Sequence, residues 1–479
     1  MSDRIEHPAL IQGGMGIGVS GWRLAHAVAE RGHLGVVSGT AAEIVLIRRL
    51  QDGDVDGHLR RAMEQFPLPG VAAAVLRRYF RPRGRPAGAP YAMLPMYRKG
   101  APRAREQVTM LANFVEVWLA REGHGGPVGV NLLTKVQLPT LAALYGAMLA
   151  GVAYVLMGAG IPREIPAVLD AFAAHRPASV RFDVEGAVDV RLTLDPADHW
   201  GAHRPPPLQR PSFLAIIASN SLATMLARKA NGRVDGFIIE GAAAGGHNAP
   251  PRGEPRFTER GEPVYGERDV VDLDGIRALG LPFWLAGGAG TPEAVQHARA
   301  VGAAGVQVGT LFAYAEESGL APEYKRSVLD HARKGDVTVF TDPRASPTAY
   351  PFKVVQWPGD PAARATTPRE RVCDIGGLRV PYLRPDGRIG YRCPAEPVEA
   401  YVAKGGKVSD TVGRRCLCNA LLANIGLPQV RDGGWGELPL ITSGDELTRI
   451  GRFLQGRTSY TADDVIDYLL GALPPSAPA

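Results

Sequence analysis

The sequence predicts an α/β chain that closes into a TIM (β/α)8 barrel, and three observations carry that prediction. Eight short apolar stretches of strand length recur between residues 9 and 308. Segments of helical apolar spacing follow most of them, so that strand and helix alternate as in a parallel sheet. Several strand ends break directly into glycine-rich loops, which is where a parallel barrel carries its ligand-binding groups.

Taken in order, the strands are expected at Ala9–Met15, Leu34–Ser38, Val128–Leu133, Tyr154–Met157, Phe213–Ala218, Gly236–Glu240, Phe283–Ala286 and Val306–Val308. Trp22 to Arg31 has a helical apolar face and stops at Gly32, a residue that tolerates the left-handed conformation closing a helix. Similar helices are expected at Leu138–Leu149, Ile165–Ala174, Leu222–Asn231 and Pro292–Ala300, the last with Thr291 as N-cap and Pro292 at its first position.

The steps after the second, fourth and sixth strands are too long for compact βα units and must hold insertions, at about 41–127, 175–211 and 248–270. The first should carry two amphipathic helices and a run of arginines, Arg77, Arg78, Arg81, Arg83 and Arg85, read as a solvated loop, with contact to a phosphate-bearing cosubstrate or acyl carrier as the sharper alternative. The alternating stretch Phe182–Asp195 suggests a hairpin in the second, and Pro250-Pro251-Arg252-Gly253 a rigid loop in the third. The barrel with its insertions should occupy 1–335, and a C-terminal extension packed on it 336–479, with a closing helix near Asp463–Leu470 and a frayed end at Pro474–Pro478.

Composition excludes several classes. A chain of 479 residues with 45% hydrophobic and 21% charged residues is globular, and its net charge of +6 comes without a basic helix or an aromatic-basic platform, so nucleic acid is not an expected partner. Residues 1–8 lack the apolar core of a secretory signal, which points to a cytoplasmic protein. Val136 to Pro162 has no charged residue, but Gly146, Gly151 and Gly158 interrupt it, and it reads as a buried helix and strand rather than a membrane span. All four cysteines, Cys373, Cys393, Cys416 and Cys418, lie in the extension. Without a C-x2-C knuckle they read as reduced structural thiols, with zinc the alternative and no metal ligands assigned.

Four motifs stand out in order: Ile11-Gln12-Gly13-Gly14-Met15, Gly129-Val130-Asn131-Leu132, the loop Gly241–Asn248 with His247 behind two glycines, and the paired strand ends Gly287-Gly288-Ala289-Gly290 and Gln307-Val308-Gly309-Thr310. Together they resemble the nitronate monooxygenase (2-nitropropane dioxygenase-like) family of FMN-dependent TIM barrels, over roughly residues 8–40 and 128–315. The resemblance implies FMN as cofactor, with Gly14 and Met15 against the flavin ring, Asn131 and Glu240 at its polar edges, and the phosphate held by Gly287, Gly288, Gly309 and Thr310 with Gln307 nearby. It implies His247 as the catalytic histidine, a general base toward a nitroalkane or a hydrogen-bonding group toward a nitronate.

The expected partners are a small-molecule substrate and dioxygen, with NAD(P)H and a homo-oligomer left open. Two alternatives accompany this reading: an NAD(P)H-dependent flavin reductase acting on enoyl thioesters or quinones, and a non-catalytic FMN-binding interaction protein. The chain departs from the family at Ala243 and Ala249, where an acidic residue and a glycine are usual, which puts the substrate most in question.

Overall fold

The computed structural model describes residues 7–364 and 370–471, so residues 1–6 of the signal-peptide reading and the proline-rich end at 474–478 lie outside the described residues. Eight parallel strands close on one another: β1 (Leu10–Gln12), β2 (Leu34–Ser38), β3 (Val128–Leu133), β4 (Tyr154–Gly158), β5 (Ser212–Ile217), β6 (Gly236–Glu240), β7 (Phe283–Ala286) and β8 (Gly305–Val308). Closure is made by β1, whose Leu10–Gln12 pair with Val306–Val308 on one side and whose Ile11 and Gln12 pair with Leu34 and Gly35 on the other. All eight expected strands are present. The first is shorter than its apolar pattern suggested, because its ladder ends at Gln12 and the chain turns at 16–19.

The barrel is filled from within by Ile11, Leu34, Val36, Leu156, Leu214, Ile238, Trp284 and Ala286. Trp284 is fully buried at this floor, and its indole N–H donates to the Pro8 carbonyl at 2.7 Å, so the polar end of the largest core side chain is satisfied. With its floor packed, the barrel leaves its open space at the carboxyl ends of the strands.

The barrel helices are α1 (Trp22–Glu30), α2 (Arg103–Arg121), α3 (Thr140–Leu149), α4 (Ile165–Ala173), α5 (Asn220–Lys229), α6 (Leu273–Arg277) and α7 (Pro292–Ala300). The first insertion differs from expectation. It holds four helices rather than two, Ala42–Gln51, His58–Glu64, Val71–Tyr79 and α2, and α2 is the barrel's own helix between β2 and β3, packed against α1 and α3. Its central residues are buried nearly all round, so it shows no single apolar face for periodicity to find.

Gly146 in α3 explains why glycines interrupt the uncharged stretch: a Cβ there would meet the Met110 carbonyl oxygen of α2 at 2.1 Å, so the residue permits close helix packing. Among the described residues no helix is long and apolar enough to cross a membrane.

The expected hairpin is formed by Ala178–Arg181 and Arg191–Leu194, so Phe182–Val190 is its loop and not its first strand. The extension contributes two more antiparallel hairpins, Thr338–Asp342 with Phe352–Gln356 and Val380–Leu383 with Ile389–Arg392, then the helix Leu417–Asn424 and a closing helix at Ala462–Leu469. Thr461 caps that last helix reciprocally with Asp464. Arg31 at the end of α1 pairs with Asp463 and Asp467 at 2.8 and 2.7 Å, tying the chain's end back to the first βα unit.

Candidate active site

At the carboxyl end of the barrel lies a cavity of about 310 Å³, within the range of small-ligand pockets. Gly14, Met15, Asn131, Glu240, His247, Gly287, Gly288, Gln307, Gly309 and Thr310 all line it. Residues spread over nearly 300 positions of sequence thus meet because each ends a barrel strand or opens the loop behind one.

The loop after β1 is fixed by a buried polar network. The Gln12 amide donates to the Ser20 hydroxyl at 2.8 Å and accepts from the Val36 N–H at 3.0 Å, while Ser20 accepts from the Met15 N–H at 2.9 Å and donates to the Gly13 carbonyl. Gly14 must be bare: a Cβ would lie 2.2 Å from the Asn131 Cβ. The close approach of these two residues sets the cavity floor between β1 and β3.

Gly287 and Gly288, both at φ 79°, turn the chain sharply after β7, and Gly309 presents only the Met15 side chain near the place a Cβ would take. One buried polar atom of this wall, Gln307 Oε1, has no hydrogen-bond partner among the described residues. Orphaned groups of this kind are unusual in a folded interior and ask for a polar ligand. A flavin phosphate and ribityl chain fit this wall: glycine turns without side chains, the orphaned Gln307 acceptor, and Thr310 with its hydroxyl. Gly290, two residues further on, is engaged by the chain itself, its N–H donating to Glu446.

Glu240 ends β6 inside the cavity. Burial alone pushes its carboxyl up to about 7 from 4.5. The folded chain therefore keeps a proton that the unfolded chain releases between those values. This contribution to stability is complete below pH 4.5 and is lost as the pH rises through 7, by at most about 3 kcal/mol. Urea unfolding of the flavin-free Glu240→Gln variant should lose that decline between pH 5 and 8; an unchanged slope would place the titrating group elsewhere.

His247 lies on a loop that the C-terminal extension holds in place. The Gly246 N–H donates to Thr442 Oγ1 and the Gly246 carbonyl accepts from the Lys353 N–H, each at 2.9 Å, and the Asn248 N–H donates to the Pro351 carbonyl. The imidazole stands edge-on to Phe352, with Nε2 2.7 Å from Ser346 Oγ, a hydroxyl itself bonded to Thr348. Burial, helped by the charge of Lys135, lowers its pKa to about 4, so the ring is neutral across the physiological range. A histidine tuned this way is a weak base and a good neutral hydrogen-bonding group.

Sequence reasoning missed the walls that come from outside the eight strands. Glu43 and Arg105, from two helices of the first insertion, form a buried ion pair of 2.9 Å at the cavity edge, with the guanidinium 3.9 Å from the Tyr97 ring centroid. Ser346 and Phe352 set His247, and Thr442, Ser443 and Glu446 come over the glycine strand ends. Glu43 alone left a trace, as an acid within an otherwise apolar helical stretch.

Residues 199–347 match the family model described as nitronate monooxygenase. That segment is just under a third of the chain. It holds the ends of β6, β7 and β8, the His247 loop and Ser346, whereas β1 to β4 and most of the extension lie outside the matched residues. No curated protein matches the chain.

Among solved structures, FabK from Thermotoga maritima is 18% identical, with 98% of this chain and 93% of that one covered at a TM-score of 0.48. A nitroalkane oxidase from Streptomyces ansochromogenes is 16% identical, with 97% and 96% covered and a TM-score of 0.44. The enoyl reductase domain of MlnA from Bacillus amyloliquefaciens is 13% identical, with 97% and 93% covered and a TM-score of 0.45. At these scores the likenesses decide nothing about chemistry.

Proposed function

We propose that the protein is an FMN-dependent oxidoreductase that oxidises nitronates with dioxygen. The observation that carries this reading is the convergence of His247, Glu240, Asn131 and the glycine ends of β7 and β8 on one cavity. FMN, when bound, supplies one-electron chemistry with substrate and dioxygen that no side chain can. Gly287, Gly288, Gly309 and Thr310 would hold its phosphate, Gly14 and Met15 would face its ring, and Asn131, Glu240 and Gln307 would meet its polar groups.

His247 supports a substrate that arrives already as an anion. An imidazole with a pKa near 4 is poorly matched to taking a carbon-bound proton at neutral pH, whereas as a neutral group it can donate to the oxygens of a nitronate. The sequence reading of His247 as general base is therefore the less favoured of its two roles.

A second reading rests on the apolar wall. Ile17, Ile44, Leu132, Leu138, Leu320, Leu378 and Leu417 line the same cavity, a longer apolar surface than a small nitronate needs. An acyl chain would fill it, as reduction of an enoyl thioester by NAD(P)H requires, and a neutral histidine would equally suit a developing enolate oxygen. Anaerobic mixing of the holoenzyme with a nitronate, and separately with NADPH, tests both: bleaching by nitronate alone supports the first, rapid bleaching by NADPH the second, and bleaching by neither would remove both.

The cofactor assignment has its own test. Gly288 sits at a backbone angle that costs a side-chain-bearing residue about 1–3 kcal/mol, and a side chain there would enter the cavity wall. The Gly288→Val chain should therefore release FMN at dilutions where the parent retains it, read by fluorescence of the filtrate. Unchanged retention, or release of FAD from the denatured parent, would count against the phosphate site.

A further inference from the structure

We infer that Cys373, Cys393, Cys416 and Cys418 form a tetrathiolate site for one thiophilic divalent cation. The four lie at four separate positions in a stretch of 46 residues, yet all four line a single small cavity of about 10 Å³, with Arg379 and Leu378 also in its wall. That volume is close to what one small ion needs and is too small for an organic ligand. No other residue type offers a ligand there.

Hydrogen-bond donors and one guanidinium face the sulfurs. The backbone N–H groups of Gly377 and Leu378 favour the charged form of Cys418, and that of Ala395 favours the charged form of Cys393. The Asn419 side chain donates to Cys416 Sγ at 3.6 Å, and the Arg379 guanidinium favours the charged form of Cys373. A bound cation deprotonates the sulfurs it holds, and these donors then face thiolates.

As the side chains stand, no three described His, Cys, Asp or Glu residues are set as ligands, and Cys373 hydrogen-bonds to Cys393 instead. Closing the site therefore takes rotation of the thiols inward to metal–sulfur distances of about 2.3 Å. Four thiols lose four protons and bind one divalent cation, leaving a group of net charge two minus beside Arg379. No electron transfer is involved. Zinc and ferrous iron share the required chemistry.

The site has a consequence for the larger cavity. Gly376, Leu378, Leu417 and Cys418 line both spaces, so the cation would pin three distant segments of the extension into the wall that faces the candidate substrate. This assignment does not depend on the reaction proposed above.

The test is elemental analysis of the full-length protein, purified without a metal-binding tag, followed by removal of metal and titration with cobalt(II). We expect about one zinc or iron per chain, intense sulfur-to-cobalt charge-transfer absorption on the native apo chain, and loss of both in Cys393→Ser and Cys418→Ser. Zinc and iron contents distinguish the two cations. The inference is overturned if the wild-type chain carries no stoichiometric metal and gives no cobalt–thiolate absorption, or if bound metal is unchanged in both variants. Because the cobalt signal is read on the wild-type chain, a variant that fails to fold leaves the test intact.

Discussion

Replacing His247 by alanine is expected to leave the flavin bound and to lower turnover of a nitronate by about 10²–10³-fold, the cost of removing one preorganised hydrogen-bonding group at a reacting oxygen. Cofactor retention should survive because the proposed phosphate contacts lie behind β7 and β8, while His247 follows β6 and is held by Ser346, Phe352 and the strap at Thr442. The pH dependence separates its roles. A neutral donor with a pKa near 4 predicts that the His247 contribution is flat from pH 6 to 8 and fails only toward pH 4, whereas a working base would give a limb near neutrality.

The sign for folding is opposite to that of Glu240. The folded imidazole titrates below its ordinary 6.5, so its contribution to stability is present above that value and is lost as the pH falls toward 4. If His247→Ala turns over nitronate at the parent rate with flavin bound, the histidine is structural.

The largest expected effect on stability comes from Arg105→Met. Glu43 and Arg105 are 4% and 7% exposed, and Glu43 Oε2 has no other partner, so removing the guanidinium leaves a carboxylate buried without compensation. Arg105 also donates to the Pro95 carbonyl and to Thr109 Oγ1, at 3.0 and 2.9 Å. Breaking one member of such a pair costs about 3–5 kcal/mol, while replacing both by uncharged residues of similar volume is often nearly neutral. Urea unfolding of Arg105→Met and of the Glu43→Leu/Arg105→Met double variant should show the loss and its partial recovery. A single variant as stable as the parent would mean that water reaches Glu43 and that the pair is not a sealed cavity edge.

The barrel was legible because a parallel strand buried on both faces is a short uninterrupted apolar run, and eight such runs with intervening helices admit few other closures. Helix α2 was not, since burial around its whole circumference removes the period that marks an amphipathic helix. That the ten residues named from the sequence meet on one cavity has a related reason. Apart from His247, each sits in or just beyond the carboxyl half of a strand, and glycine there, as at Gly14 against Asn131 or at Gly288 with φ 79°, records a backbone constraint that one residue type satisfies.

What the sequence by itself determined was the sheet, its direction, and the end at which its cavity opens. What only the tertiary structure decided was everything that depends on contacts between distant segments: the neutrality of His247, which follows from burial beside Ser346 and Phe352 a hundred positions on; the Glu43–Arg105 edge; and the meeting of four cysteines that no short spacing announces. Periodicity and turn chemistry are local and are written in neighbouring residues, whereas desolvation and convergence are properties of the folded chain's interior and exist only once the barrel and its extension have closed.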